Sequence, residues 1–101
     1  MRIFDLRAMT PHPYDEREKN VFCQTPQFKA RIIELPAKGR MPTCEMTSHV
    51  LFYVVQGEAE VQVNQEVATI KEGQCLVSEP ATLSMKTEDG VKILGIQIAT
   101  A

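Results

Sequence analysis

The sequence has only two histidines, His12 and His49, and no tryptophan. His12 lies between Pro11 and Pro13 in a polar segment. Three imidazoles therefore cannot meet around one metal ion within a single chain. This shortage argues against iron, manganese or nickel held in a histidine-rich mononuclear centre, and we expect a protein without a metal cofactor.

Long apolar runs and clusters of basic residues are also missing. No segment approaches the roughly 20 apolar residues that cross a bilayer, and the N-terminus has no apolar run of signal-peptide length. The 11 basic and 13 acidic residues are mixed along the chain, with a formal net charge of −2. This distribution does not favour binding to nucleic acid or to an anionic membrane, so we predict neither as a partner.

Cysteine is scarce, and its pattern does not indicate disulfides. Cys23, Cys44 and Cys75 are odd in number and have no CxxC spacing. In a chain without an export signal, three separated cysteines are best interpreted as reduced thiols, which predicts a cytoplasmic location.

The pattern of the 101 residues predicts one all-β domain with a polar leading segment. Residues 1–20 are interpreted as an N-terminal arm, or as an edge strand formed around Ile3, Phe4 and Leu6. Residues 21–101 carry short apolar runs at intervals of 8 to 12 residues, which is typical of a sandwich or barrel. The predicted strands are Val21–Cys23, Phe28–Leu35, Val50–Val55, Ala59–Val63, Val67–Ile70, Cys75–Val77, Thr82–Lys86 and Val91–Ile98.

One pair of runs shows the expected strand and turn chemistry in detail. Ala59, Val61 and Val63 alternate with polar residues, as in a strand with one buried face. Asn64-Gln65 follows directly and separates this run from the next, which indicates a tight hairpin. No segment longer than about ten residues has the 3.6-residue period of an amphipathic helix.

The layout from Ala37 to Ile98 resembles the cupin superfamily, whose fold is a small double-stranded β-helix, or jelly-roll barrel. The family's first motif, G-x5-H-x-H-x3,4-E-x6-G, is similar to Gly39–Gly57, and Phe52–Val61 is the most family-like part. The second motif, G-x5-P-x-G-x2-H-x3-N, is similar to the region that begins at Gly73. The resemblance implies a cupin-like barrel with an internal lumen.

The positions that hold metal ligands in the family carry other residues here. When the x3,4 spacer of the first motif has three residues, its two histidine positions are Cys44 and Met46. When the spacer has four residues, they are Thr43 and Glu45. The glutamate position is Val50, and the last histidine position is Ser84. The structural glycines are kept while the imidazoles are not. The resemblance therefore implies a barrel whose metal-ligand positions are degenerate.

The same register assigns a face to each residue of the strand before Gly57. Val50, Phe52 and Val54 would point into the lumen, together with Cys44 and Met46. Leu51, Tyr53 and Val55 would form an apolar outer row. A sheet that is apolar on both faces is normally covered on both, so we predict a homodimer through this row, with cover by the N-terminal arm as the alternative.

The sequence does not decide which side chains of residues 82–86 point into the lumen. The family register places Ser84 and Lys86 in the lumen, where a hydroxyl and an ammonium would face a ligand. The register shifted by one residue places Leu83 and Met85 inward, which suits an apolar lumen better. Both registers remain possible at this stage.

We therefore predict a metal-independent cupin-like protein that binds a small organic ligand in its barrel or acts as a sensing or accessory module. The predicted ligand-binding residues are Cys44, Met46, Val50, Phe52, Ser84 and Lys86. One alternative is an oxygenase or isomerase with a soft transition metal on Cys44, Met46 and His49, because thiolate and thioether ligands suit Cu(I). Another is a structural dimeric module with a filled lumen. The sequence leaves open whether the protein is an enzyme.

Overall fold

The computed structural model describes residues 1–99; residues 100 and 101, the end of the predicted barrel domain, lie outside it. A 3₁₀ helix at Tyr14–Asn20 precedes the strands. These are β1 (Val21–Gln24), β2 (Phe28–Leu35), β3 (Arg40–Met46), β4 (His49–Val63), β5 (Glu66–Lys71), β6 (Cys75–Ser78), β7 (Ala81–Lys86) and β8 (Val91–Ile98). The predicted all-β class is confirmed. No helix within residues 1–99 is long and apolar enough to span a bilayer.

The strands form two antiparallel sheets that share β4. The first half of β4 pairs with β8 and β6, and β2 and β1 extend this first sheet beyond β8. The second half of β4 pairs with β5 and β7, and β3 completes this second sheet beside β7. Two sheets that face each other and exchange one strand form a closed double-layer barrel.

A bend at Gly57 lets β4 serve both sheets. Gly57 has φ +83°, and a Cβ there would overlap the carbonyl oxygen of Gly90 on the neighbouring loop. The pairing with β8 also shifts register between Val54 and Gln56. A bulge followed by a glycine increases local twist and bends a strand, so β4 turns here from one layer into the other.

The core fills the space between the two layers. Its largest fully buried side chains come from both sheets, so neither sheet has a core of its own: Leu83, Ile93, Val50, Val54 and Val61. In β4, Val50, Phe52 and Val54 are buried, as the family register predicts.

The structure differs from the predicted strands in two ways. The runs Val50–Val55 and Ala59–Val63 are parts of one strand, because β4 continues through Gly57. β3 was not predicted, because Pro42 and polar neighbours hide its pattern. Its pairing with β7 shifts register between Met41 and Cys44, and proline is tolerated at such a bulge.

The N-terminal segment is an arm and contains no edge strand. The expected strand at residues 3–6 is wrong, since the first strand begins at Val21. The arm is held on the outside of the first sheet, where Lys92 Nζ donates to the carbonyl oxygens of Arg7 at 2.8 Å and Met9 at 2.7 Å. Backbone carbonyls rather than strand pairing therefore attach it.

The outer face of the first sheet is only partly covered. Val55, in the predicted outer row, is buried. Tyr53, Val77 and Ile98 remain 38%, 66% and 43% exposed. The arm reaches the β2–β8 side of this face, where it meets Lys92. An apolar area is left around β4 and β6.

Candidate functional site

A cavity of about 320 Å³ opens between the two sheets, at the end of the barrel where β2, β3 and β8 meet the 3₁₀ helix. Its lining comes from the 3₁₀ helix, from β2, β3, β4, β7 and β8, and from the turn between β3 and β4: Tyr14, Arg17, Glu18, Lys29, Arg31, Ile33, Met41, Cys44, Glu45, Met46, Thr47, Val50, Phe52, Leu83, Gly95, Ile96 and Gln97. This size lies at the lower end of the range for small-molecule sites.

The inner end of the cavity is apolar. Ile33, Met41, Val50, Phe52 and Leu83 are all buried side chains that face it. Gly95 completes this floor without a side chain, so the Phe52 ring lies directly against the β8 backbone. We call these six residues the apolar floor, and it suits the hydrocarbon part of a ligand.

The mouth of the cavity is polar, and Arg31 is its most enclosed charge. Arg31 projects from β2 and is only 9% exposed. Its Nη2 donates to Gln97 Oε1 at 3.2 Å and lies 3.4 Å from Glu18 Oε1. The Glu18 side chain is 73% exposed and also lies 3.8 Å from Lys29 Nζ. One solvated carboxylate thus faces two cations.

Tyr14 brings a phenol to the same mouth from the 3₁₀ helix. The Cζ of Arg17 lies 4.9 Å from the centroid of its ring, a cation–π contact that holds the ring in place. Burial raises the pKa of the Tyr14 hydroxyl; Arg17 and Arg31 oppose this rise, and Cys44 adds to it. The phenol is therefore protonated at neutral pH and can donate a hydrogen bond.

Cys44 and Met46 lie together on the β3 wall of the cavity. The Cys44 thiol is 3.5 Å from Met46 Sδ, and Gln97 Nε2 lies 3.9 Å from the same sulfur. The predicted lumen residues Cys44, Met46, Val50 and Phe52 are thus all brought to one cavity.

Ser84 and Lys86 lie elsewhere, and their placement in the lumen is corrected by the structure. Leu83 is buried and faces the cavity. Ser84 and Lys86 point to the outer side of β7, where Lys86 Nζ lies 3.2 Å from Glu60 Oε2. The physical reason is the register of β7. Burying Leu83 in the apolar interior is favourable, and because side chains alternate along a strand, Ser84 and Lys86 then face water.

The inward-facing side chains at the family's metal-ligand positions do not suit a hard divalent ion. Val50 and Leu83 offer no donor atom, and Cys44 and Met46 offer sulfur. His49 is exposed at the start of β4 and is not part of the cavity lining. The third ligand of the proposed soft-metal site is therefore not brought to the two sulfurs. Within residues 1–99, no three His, Cys, Asp or Glu side chains cluster closely enough to hold a metal.

The sequence reasoning missed the polar residues Arg31, Gln97 and Tyr14. Arg31 lies in Phe28–Leu35, where apolar residues occupy both faces, so alternation does not show which way it points. The usable signal was a charge inside a strand with apolar neighbours on each side. Gln97 carries no such signal.

Solved structures of other proteins are similar to this chain. No protein-family profile and no curated protein matches the sequence. The cupin domain of Cnp3 from Schizosaccharomyces pombe is 23% identical over 79% of this chain, with a TM-score of 0.71. This chain spans only 61% of that one. The TT1209 protein of Thermus thermophilus is 19% identical and covers 97% of both chains, with a TM-score of 0.84.

A third match names the architecture. It is an RmlC-like cupin from Methanocaldococcus jannaschii with a double-stranded β-helix fold, 19% identical over 78% of this chain and 76% of its own, with a TM-score of 0.72. A salicylate 1,2-dioxygenase from Pseudoaminobacter salicylatoxidans in complex with gentisate also matches at 19% identity and a TM-score of 0.68, over 72% of this chain and 20% of its own. By strand pairing and by these neighbours, the chain has the cupin fold, a double-stranded β-helix.

Proposed function

We propose that this protein binds a small organic molecule in its barrel, in a binding, sensing or accessory role. The observation that carries the proposal is the cavity itself, with an apolar floor at its inner end and a few polar groups at its mouth. Sites of this composition orient a ligand by its polar end and bury its apolar part. A dioxygenase with the same fold is solved in complex with gentisate, a small organic molecule.

The test is to block the cavity and leave the rest of the barrel unchanged. In Cys44→Phe a ring would enter the cavity, while in Ser84→Phe the same ring would stand on the outer side of β7. A library of small metabolites is screened by thermal shift and confirmed by calorimetry. We expect ligands that stabilise the native protein and the Ser84→Phe variant but lose at least about tenfold in affinity for Cys44→Phe.

Two outcomes would contradict this proposal. The first is a library that yields no ligand for the native protein. The second is a ligand that Cys44→Phe and Ser84→Phe bind equally well, which would place the binding site outside the cavity.

We also propose that binding needs no metal, since none of the positions that hold ligands in metal-binding cupins carries an imidazole here. Elemental analysis of protein purified without a chelating column should find well under one iron, manganese or nickel atom per chain. A stoichiometric soft metal that disappears in Cys44→Ser would instead favour the sulfur-ligated enzyme. The three unpaired thiols fit a reducing compartment, and we propose the cytoplasm.

A second copy of the chain is the partner we propose for the exposed outer face. Leu51, Tyr53, Val77, Leu94 and Ile98 form an outer apolar patch on adjacent strands of the first sheet. Within residues 1–99, β6 pairs with β4 alone, so the patch continues to a free strand edge. A self-complementary patch at an edge is the arrangement that a two-fold dimer requires.

Light scattering after size exclusion tests this dimer. We expect two chains per particle in the native protein, and one chain in Val77→Lys and Tyr53→Lys. Gln62→Lys adds the same charge to the outer face of the second sheet and should leave the dimer intact. A native protein that stays monomeric at high micromolar concentration would contradict the proposal.

A further inference from the structure

The mouth of the cavity carries an excess of positive charge. Three cations line it, Arg17, Lys29 and Arg31, against two carboxylates, Glu18 and Glu45. Both carboxylates are solvent-exposed, whereas Arg31 is almost fully enclosed. The least solvated charge that a ligand would meet in the cavity is therefore a guanidinium.

The present contacts of Arg31 use only part of that guanidinium. Its hydrogen bonds within residues 1–99 all come from Nη2, at 3.2 Å and 3.4 Å, and the longer one goes to a carboxylate that lies mostly in water. No buried side-chain nitrogen or oxygen in these residues lacks a hydrogen-bond partner. The remaining guanidinium donors are therefore not sealed inside the protein, and the Arg31 side chain lines the cavity. A buried arginine whose donors are incompletely used has the chemistry of an anion receptor.

Resting on the proposed ligand-binding function, we propose that the cavity takes small organic carboxylates. The ligand's carboxylate replaces Glu18 at Arg31, and its apolar part fills the apolar floor. In the unliganded protein Glu18 occupies the ligand's position, since it presents a carboxylate to Arg31 Nη2. It can be displaced readily because it is exposed and its contact is long.

The neighbouring polar groups suit this exchange. Gln97 Oε1 accepts from Arg31 and holds the guanidinium plane. Among residues 1–99, the Nε2 of Gln97 donates only to the weak acceptor Met46 Sδ, at 3.9 Å. The protonated phenol of Tyr14 supplies a further donor at the mouth. Two neutral donors beside a guanidinium favour a carboxylate over a neutral amide and disfavour a cation.

The cavity volume limits the size of the acid. A volume of about 320 Å³ is that of about ten water molecules in the liquid. A monocarboxylate with about ten non-hydrogen atoms and an aromatic or branched aliphatic body would fit within it. Polar chains such as sugar acids would leave hydroxyl groups unpaired against the apolar floor.

The direct test compares probes of one shape and different charge. Phenylacetate, phenylacetamide and 2-phenylethylammonium are titrated into the native protein by calorimetry, within a panel of such acid, amide and amine triplets. We expect the acids to bind at least about tenfold more tightly than their amides, and the amines to bind most weakly.

Two variants locate the effect at Arg31. Arg31→Met keeps the buried stem and should lower phenylacetate affinity about 10- to 100-fold while changing phenylacetamide affinity little. Glu18→Gln removes the competing carboxylate and should raise phenylacetate affinity about two- to fivefold. Lys86→Met removes an equal charge outside the cavity and should change affinity by less than about twofold.

The outcomes separate this inference from the proposed function. If amides or amines bind as tightly as their acids, or if Glu18→Gln weakens phenylacetate binding, the carboxylate inference is wrong while the binding cavity stands. If no compound of the panel or of the metabolite library binds, the proposed function fails, and the inference fails with it. If Arg31→Met does not fold, the carboxylate inference is still tested by the acid, amide and amine affinities of the native protein and by Glu18→Gln.

Discussion

Both halves of β4 carry apolar side chains on the inside of the barrel, but their outer faces differ in polarity. In His49–Val55 both faces are largely apolar, and Tyr53 is still partly exposed. In Glu58–Val63 the buried Val61 alternates with exposed residues such as Glu60. The inner face of a strand is set by the shared core, whereas the outer face is set by whatever covers that sheet.

Two lysines show the same contrast at single positions. Lys92, on the outside of the first sheet, is buried beneath the arm and donates to two backbone carbonyls. Lys86, on the outside of the second sheet, is exposed and faces Glu60. The outer face of the first sheet is covered where the arm crosses it, and the outer face of the second sheet meets water.

The largest effect should come from the bend that joins the two halves. Gly57→Ala adds a Cβ that overlaps the Gly90 carbonyl at a positive φ, and we expect a loss of about 4 kcal/mol in unfolding free energy. Gly73→Ala is the control, since φ is +85° there but no atom lies within 4 Å, and it should lose about 1 kcal/mol. Urea denaturation measures both. Equal losses would mean that the bend does not depend on close approach.

A smaller effect should separate the inner and outer faces of the second sheet on β7. Leu83→Ala empties a buried site and should cost about 3 kcal/mol, while Ser84→Ala should stay within about 0.5 kcal/mol. Urea denaturation again measures the difference. A reversed order would show that β7 has the opposite register.

The smallest effect should distinguish the two outer lysines. Lys92→Met leaves two carbonyls without their charged donor and should cost about 2 kcal/mol. Lys86→Met removes only an exposed ion pair and should cost about 0.5 kcal/mol. Trypsin should also cut after Arg7 faster in Lys92→Met than in Lys86→Met. Equal stabilities and equal cleavage rates would mean that the arm does not depend on Lys92.

Much of the fold could be predicted because the signals are local. β2 and β8 have the predicted bounds, since each is a run of residues with strong strand preference that ends at turn residues. The Asn64-Gln65 hairpin was also predictable, and Asn64 takes the positive φ of 55° that its turn needs. β3 was not, because its bulge at Pro42 breaks the alternation that marks a strand.

The candidate site could be predicted only in part. Cys44, Met46, Val50 and Phe52 line the cavity, and the family register anticipated their direction. Arg31 and Gln97 meet across 66 positions of sequence, and no local pattern announces that contact. The sequence therefore predicts part of the cavity wall but not the polar contact between Arg31 and Gln97.

By itself the sequence determined an all-β barrel and a chain with too few histidines for a three-imidazole centre, because strand runs and residue counts are local properties. Only the tertiary structure decided that Leu83 rather than Ser84 faces inward, that Arg31 lies at the cavity mouth, and that Glu18 stands opposite it. Alternation shows that a strand has two faces, but the core that it packs against decides which of them is buried.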